Sequence, residues 1–265
     1  MSQQRITVEV RDGIAYATLN RSDKMNSLDL PMLEALASVP ARIARDRSVR
    51  VVILRGDGAA FCTGLDFAGA KMSGFSAVRN FSKLPGSTNL FQKACWAWRC
   101  MPVPVIAVLH GHCYGGGLQL ALAADFRIAT SDCKLSIMEA RWGLIPDMTG
   151  SVTLRELVPM DVLKKLTMTA EVFSGSDALG YHLVTSVATD PLAAAMELAA
   201  QLKERSPDAL AATKKLFHST WTSAPGRAFW AESVLQLRLL RGANHRLARK
   251  AGRDGKPSWE PRTFS

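Results

Sequence analysis

The chain reads as an α/β protein in which buried parallel strands alternate with helices. Three observations carry that reading. Val51-Val52-Ile53-Leu54 and Val105-Ile106-Ala107-Val108-Leu109 are unbroken apolar runs rich in β-branched residues, as expected of strands covered on both faces. Helix-period segments separate the strand-like ones, which favours βαβ connections over a sandwich. Each run also empties into a glycine-rich loop, Gly56-Asp57-Gly58 after the first and Gly111 through Gly115-Gly116-Gly117 after the second. A length of 265 residues fits one large domain, or one domain with an appended piece.

The elements follow in order. Ile6 to Val10 and Ile14 to Leu19 flank Arg11-Asp12-Gly13, a tight-turn signal for a hairpin. A helix is predicted from Pro31, with Leu36, Val39 and Ile43 on one face and Pro40 interrupting the pattern. After the strand at Val51, the segment Ala68 to Ser87, rich in Gly, Ser and Phe, reads as a mobile loop. The strand at Val105 leads through the glycines into an apolar segment, Leu118 to Ala124. Phe126 to Ala129 and Lys134 to Met138 read as further strands. Beyond about residue 150 the pattern turns helical, with Pro159, Pro191 and Pro207 suited to first helical turns and Ser206 to a cap.

Composition excludes several classes. No apolar run approaches the roughly 20 residues of a membrane span, and Met-Ser-Gln-Gln-Arg-Ile-Thr-Val-Glu-Val has no signal-peptide core. Five cysteines without a CxxC pair favour reduced thiols and a cytoplasmic location. The net charge is +10, and the stretch from Arg227 onward holds nine Lys/Arg against Glu232, Asp254 and Glu260. Such a surface attracts polyanions, phosphorylated cofactors among them. No nucleic-acid-binding motif accompanies it, so nucleic acid is not expected as a partner. His110, His112 and Cys113 lack a zinc-ligand pattern, and no metal is expected. Cys62 reads as a small buried residue. There is neither a GxSxG elbow nor a GxGxxG fingerprint, which argues against a serine hydrolase and a dinucleotide enzyme.

The chemistry rests on two loops. Phe61-Cys62-Thr63-Gly64-Leu65-Asp66 follows the first buried strand, as Gly115-Gly116-Gly117 follows the second. Small residues at a strand end let the backbone approach another molecule, and the first turn of a helix has N–H groups without internal partners. Two such N–H groups aimed at one point would form an oxyanion hole.

The segments Leu19-Asn20-Arg21, Asn26-Ser27-Leu28, Phe61 to Asp66, His110 to Gly117, Ala123 to Ala129, and Glu139 with Gly143-Leu144-Ile145-Pro146 resemble the crotonase (enoyl-CoA hydratase/isomerase) superfamily. The resemblance runs over roughly residues 5 to 190, and the carboxyl-terminal part fits that family's helical tail more loosely. It implies a ββα spiral core with an acyl-CoA site over residues 1–200. A helical region, 201–265, would make the contacts of a homotrimer or a dimer of trimers. Coenzyme A would enter as part of the thioester substrate, with no separate cofactor. The oxyanion donors would be the N–H groups of Leu65 and Gly116. Lys24, Ser27, Thr63, Gly64, Asp66, Tyr114 and Gly115 would contact coenzyme A or substrate.

Typical hydratases of that family hold water between two glutamates. Glu139 matches one of them, and Gln119 stands at the other. An amide can orient water but cannot take a proton at neutral pH. Glu139 is therefore the candidate general acid/base and Gln119 a positioner. Asp147 is a candidate second proton carrier, because dienoyl-CoA isomerases carry Asp eight residues after the matching Glu; helix capping is its plainer role. Phe67, Met72, Phe75, Phe81 and Trp96 could line an acyl tunnel or simply fill a core. The expected activity is enoyl-CoA hydration or double-bond isomerisation through a stabilised thioester enolate. Dienoyl-CoA isomerisation, another specialised reaction of the family, and non-catalytic acyl-CoA binding stand as alternatives because of Gln119.

Overall fold

The computed structural model describes residues 4–66, 86–252 and 255–264. The hairpin forms as expected from β1 (Ile6–Arg11) and β2 (Ile14–Leu19), with Asp12 and Gly13 both left-handed at the turn. Helix α1 (Leu30–Arg45) follows, then β3 (Val51–Gly56), α2 (Leu90–Arg99) and β4 (Val105–Leu109). Next come β5 (His112–Tyr114), α3 (Gly116–Leu122), β6 (Phe126–Ala129) and β7 (Lys134–Ser136). The last strand is shorter than its expected span because the chain turns at Met138 into a 3-10 turn, Glu139–Trp142.

The main sheet has the order β1-β2-β3-β4-β6-β9, with β9 at Ser186–Val187, and is parallel except for the hairpin. A smaller sheet joins β5, β7 and β8 (Phe173–Ser174). The chain passes from one sheet to the other at each corner: β4 leads past Gly111 into β5, and β6 leads past Cys133 into β7. After β3 the same step is made by Cys62, which bridges to Cys113 of β5. Strand, corner, strand, helix is the repeat, and it winds the core as a spiral.

The apolar runs are continuous because the main sheet is buried on both sides. Val52 and Leu54 face the larger core with α1 and α2, while Val51 and Ile53 pack with Ala195 and Ala199 of α7 (Pro191–Lys203). Helix α1 runs straight through Pro40, contrary to the interruption expected there. A proline inside a helix costs about 3 kcal/mol. Burial of Met32, Leu36, Val39 and Ile43 in the larger core offsets it, at roughly 1.5–3 kcal/mol for each large side chain. Helix α2 opens on a capping box in which Asn89 and Gln92 exchange hydrogen bonds. Most of the expected mobile loop, Ala68 to Leu84 and Pro85, lies outside the described residues, as do Phe67, Met72, Phe75 and Phe81.

The carboxyl-terminal part is helical. After α4 (Gly150–Thr153), α5 (Met160–Thr169) and α6 (Gly175–Gly180) come α7, α8 (Pro207–Thr220), α9 (Pro225–Leu240) and α10 (Ala243–Ala251). Pro191 and Pro207 open their helices, and Ser206 caps α8 by accepting from the Ala209 N–H. Pro159 stands one place earlier than expected, as the residue that precedes α5.

One buried carboxylate fastens the end of the chain. Asp208 accepts hydrogen bonds from the Thr263 N–H (2.7 Å) and hydroxyl (3.0 Å), the Phe264 N–H (3.2 Å) and the Asn244 amide (2.9 Å). Arg47 in turn reaches the carbonyls of Arg262 and Phe264. Burial alone would raise the Asp208 pKa, but these hydrogen bonds outweigh it and hold the carboxyl below its usual range. A carboxyl lowered in the folded state stabilises the fold above its unfolded value and loses that contribution as pH falls through the folded one. The melting temperature should therefore drop below about pH 4, and Asp208→Asn should flatten that limb and lose about 1–3 kcal/mol near neutrality. Thermal melts across pH check both.

Candidate active site

The two glycine-rich loops meet because backbone hydrogen bonds sew them together. The Phe61 and Cys62 N–H groups donate to the His110 and His112 carbonyls, and the Tyr114 N–H donates back to Cys62, all near 3.0–3.1 Å. A side chain at Gly117 would stand 2.5 Å from the Cys62 carbonyl and 2.8 Å from its sulfur, so only glycine allows this approach. Gly64 adopts φ +85°, and a Cβ there would lie 2.9 Å from the Tyr114 carbonyl and 3.5 Å from the Gly116 nitrogen. The first loop thus crosses directly over the start of α3.

That crossing brings Leu65 and Gly116 to one cavity, each with a backbone N–H that takes no acceptor among the described residues. The Leu28 N–H donates to the Gly64 carbonyl and the Asp66 N–H donates to the Leu28 carbonyl, so the Leu65 N–H between them takes no acceptor among the described residues. The Gly116 N–H is the first of α3, and the first intrahelical bond there runs from Gln119 to Gly115. Both residues line a cavity of about 100 Å³ together with Thr63, Gly64, Gly115, Glu139 and Asp147. Met138, Trp142, Leu144 and Met148 complete its wall.

Glu139 heads the 3-10 turn and is only 9% exposed. Its Oε1 accepts from Gln119 Nε2 at 2.6 Å, and its buried Oε2 has no hydrogen-bond partner among the described residues. Burial raises the Glu139 pKa, opposed by hydrogen bonds from its own N–H and from Gln119, and the Asp147 charge raises it further. Burial likewise pushes the Asp147 carboxyl up. Both shifts have one main cause, loss of hydration beside the apolar wall. Thr149, not Asp147, stands at the start of α4, and no side chain caps that helix.

The other predicted residues are held by contacts around the first loop. Arg21 donates to the Ser27 carbonyl (3.0 Å) and hydroxyl (2.8 Å) and to Asp66 (2.7 Å), and lies 3.5 Å from Asp29. Asp29 also caps α1 and pairs with Arg5. Ser27 and Asp66 thus anchor the first loop to one cation. Thr63 donates its N–H to the Met25 carbonyl. Lys24 is exposed at the end of a 3-10 turn, Ser22–Lys24, and the Tyr114 hydroxyl hydrogen-bonds His112 rather than facing the cavity. Trp96 lies under the Arg99 guanidinium, away from that wall. The Cys62 thiol is pushed up to about 12 by burial, which keeps it un-ionised.

Three contributors escaped the sequence reading. Asn26, fully buried, donates to the carbonyls of Asp57 and Ala60 and accepts from the Arg21 N–H, pinning the loop that leads to Cys62. Arg21 was visible only as part of a motif. Gly150, whose N–H reaches Gln119 Oε1 at 3.0 Å, carried no signal at all.

Known proteins resemble this chain throughout. The family model described as "Enoyl-CoA hydratase/isomerase" matches residues 9–261. An "(E)-benzylidenesuccinyl-CoA hydratase" of Thauera aromatica is 32% identical over 213 residues, 79% of this chain and 80% of that protein. A "Carnitinyl-CoA dehydratase" of Proteus mirabilis is 31% identical over 221 residues, 82% of this chain and 81% of that protein. The crystal structure of an enoyl-CoA hydratase from Bacillus anthracis superimposes with a TM-score of 0.89 at 27% identity, covering 97% of this chain and 99% of that one.

Replacing Arg21 tests the anchoring directly. Arg21→Met strips Ser27 and Asp66 of their shared cation and should cost about 2–4 kcal/mol in urea unfolding, whereas a purely solvated arginine would lose less than about 0.5 kcal/mol.

Proposed function

Because this chain belongs to the enoyl-CoA hydratase/isomerase family, we propose that it binds an unsaturated acyl-CoA thioester and either hydrates it or moves its double bond. The thioester carbonyl accepts from the Leu65 and Gly116 N–H groups, which stabilise the negative charge of the enolate; one such donor is worth about 3–4 kcal/mol in the transition state. Thr63, Gly64 and Gly115 shape the slot around it, and Lys24, which is exposed, offers a cation to the phosphates of coenzyme A.

In hydration, Glu139 takes a proton from water as its oxygen bonds to C3, and the electron pair of the double bond moves onto the thioester oxygen. Glu139 then returns that proton to C2 as the enolate collapses. Gln119 spends one Nε2 hydrogen on Glu139 and has the other for the water. In isomerisation no water is taken up: one carboxyl removes a proton next to the double bond and a carboxyl delivers one at the far end of the conjugated enolate. The observation that carries the assignment is Glu139 itself, a buried carboxyl with an uncommitted Oε2 in the wall that also holds the two free N–H groups. The second reading, isomerisation, is favoured by Asp147, which supplies a second carboxyl while Gln119 cannot take a proton.

The exposed apolar residues of α9, Phe229, Trp230, Val234 and Leu237, give a homotrimer or a dimer of trimers a surface to cover, since that helix buries none of its residues within the chain.

Three measurements decide between the readings. Glu139→Gln should reduce loss of the enone absorbance of a 2-enoyl-CoA by about 10²–10⁴-fold while thioester binding persists. The same variant should melt at a higher temperature near neutral pH: a carboxyl raised in the folded state opposes folding once it ionises, and the amide removes that cost. Solvent deuterium entering the product without water uptake favours isomerisation, and Asp147→Asn should then abolish it. No turnover on any chain length, with normal thioester binding, overturns the catalytic reading.

A further inference from the structure

Gln119 is 1% exposed, and both ends of its amide are engaged. Oε1 accepts from the Gly150 N–H at 3.0 Å, and Nε2 donates to Glu139 Oε1 at 2.6 Å. A backbone N–H can only donate, so the oxygen end of the amide must face Gly150. The nitrogen end must then face Glu139. The turn that delivers this N–H is strained. Thr149 sits at φ 76° and ψ 4°, left-handed for a β-branched residue, with its buried hydroxyl unpartnered among the described residues. Such a conformation costs about 1–3 kcal/mol and persists only where the surroundings enforce it. Here the Thr149 carbonyl accepts from the Val152 and Thr153 N–H groups and from the Thr153 hydroxyl. Gly150 itself has no room for a side chain, because a Cβ would stand 2.8 Å from Pro146 Cβ and 2.9 Å from Gln119 Oε1.

We propose that the Thr149–Gly150 turn is a positioning device that sets the polarity of the Gln119 amide, so that Glu139 Oε1 is always met by an N–H and proton exchange with a bound ligand runs through Oε2. The turn acts only through Gln119 and touches no reacting atom. Its catalytic consequence rests on the reading of Glu139 as the acid/base; the hydrogen-bond relay does not. A glutamate at position 119 could accept from Gly150 in the same way, but its second oxygen would then lie against Glu139 Oε1 and the two carboxyls would have to share a proton. With glutamine, that contact is made without one.

The test follows the titration of Glu139 in the ligand-free protein by pH-difference infrared spectroscopy, with Glu139→Gln as the blank. Gln119→Leu removes the N–H, and Gly150→Ala pushes on Gln119 Oε1 and so displaces the amide that carries it; each should raise the Glu139 midpoint by about one pH unit, the size expected for losing a hydrogen bond to a charged group. Thr149→Gly adopts the same φ without strain and should leave the midpoint at the wild-type value while raising the melting temperature. With an enoyl thioester, Gly150→Ala should lower kcat about tenfold with KM nearly unchanged, and should add no further loss on top of Glu139→Gln, the amount and pattern expected of one acid/base group. If Gly150→Ala does not fold, the wild type decides: the Gln119 side-chain carbonyl band, identified by its loss in Gln119→Leu, should shift with the Glu139 midpoint. An unmoved midpoint in both Gln119→Leu and Gly150→Ala, or a carbonyl band indifferent to Glu139, overturns the proposal. Shifted midpoints without any turnover leave the relay standing and overturn the enoyl-thioester reading instead.

Discussion

Everything at this site depends on one close approach, the seating of α3 against the Cys62 segment with no side chain between them. Gly117 makes it possible, because any Cβ would fall within 3 Å of both the Cys62 backbone and its sulfur. The hydrogen bonds that Phe61, Cys62 and Tyr114 exchange with the neighbouring strand hold the approach in register. With the two loops locked, Leu65 and Gly116 line one cavity together with Glu139, and Gln119 hydrogen-bonds Glu139 from the helix that Gly116 begins. A spiral of paired sheets is well suited to this, since each corner exports a loop at the same end of the core. The loops of β3 and β4 become neighbours because their strands are neighbours.

The electrostatics follow from that geometry. A cavity roofed by Met138, Trp142 and Met148 is too apolar to leave carboxyls at their ordinary acidity, so both Glu139 and Asp147 are pushed up by burial. Gln119 works against the shift at Glu139 by giving an N–H to the ionised form. A carboxyl that is costly to ionise weakens the fold once it is charged. Arg21 and Asn26 carry the complementary burden. Their hydrogen bonds to Ser27, Asp66, Asp57 and Ala60 fix the first loop to its neighbours.

The carboxyl-terminal helices obey a different logic. Helix α7 is part of the core, with Ala195 and Ala199 sealed against the main sheet. Helix α9 packs Leu235 and Leu239 partly against the chain, yet carries two large aromatic side chains and several aliphatic ones at the surface. Asp208 and the arginines around the chain end hold the tail in place through polar contacts rather than through a large apolar core, and the apolar cluster there comprises little more than Ala211, Ala212 and Phe264. The proposal of an assembly surface rests on this apolar helix face presented on a polar-fastened support.

Much of this was legible in the residues. Unbroken apolar runs and β-branching marked β3 and β4, Asp12-Gly13 marked the hairpin, and the glycines marked both loops, because backbone conformation and burial are local demands that local sequence must meet. The family resemblance extended that to Glu139, Leu65 and Gly116, and set Gln119 apart as a departure. Other features were not legible. Pro40 stays within a helix because long-range packing outweighs a local penalty, and Ser27, Asp66 and Arg21 form one anchor only when segments 45 residues apart are folded together. The polarity of the Gln119 amide is the plainest case. Sequence alone determines that an amide stands where a carboxylate could have been, since that is a matter of composition. Which end of the amide meets Glu139 is decided by the Gly150 N–H, 31 residues away, and only the tertiary structure brings that donor within reach.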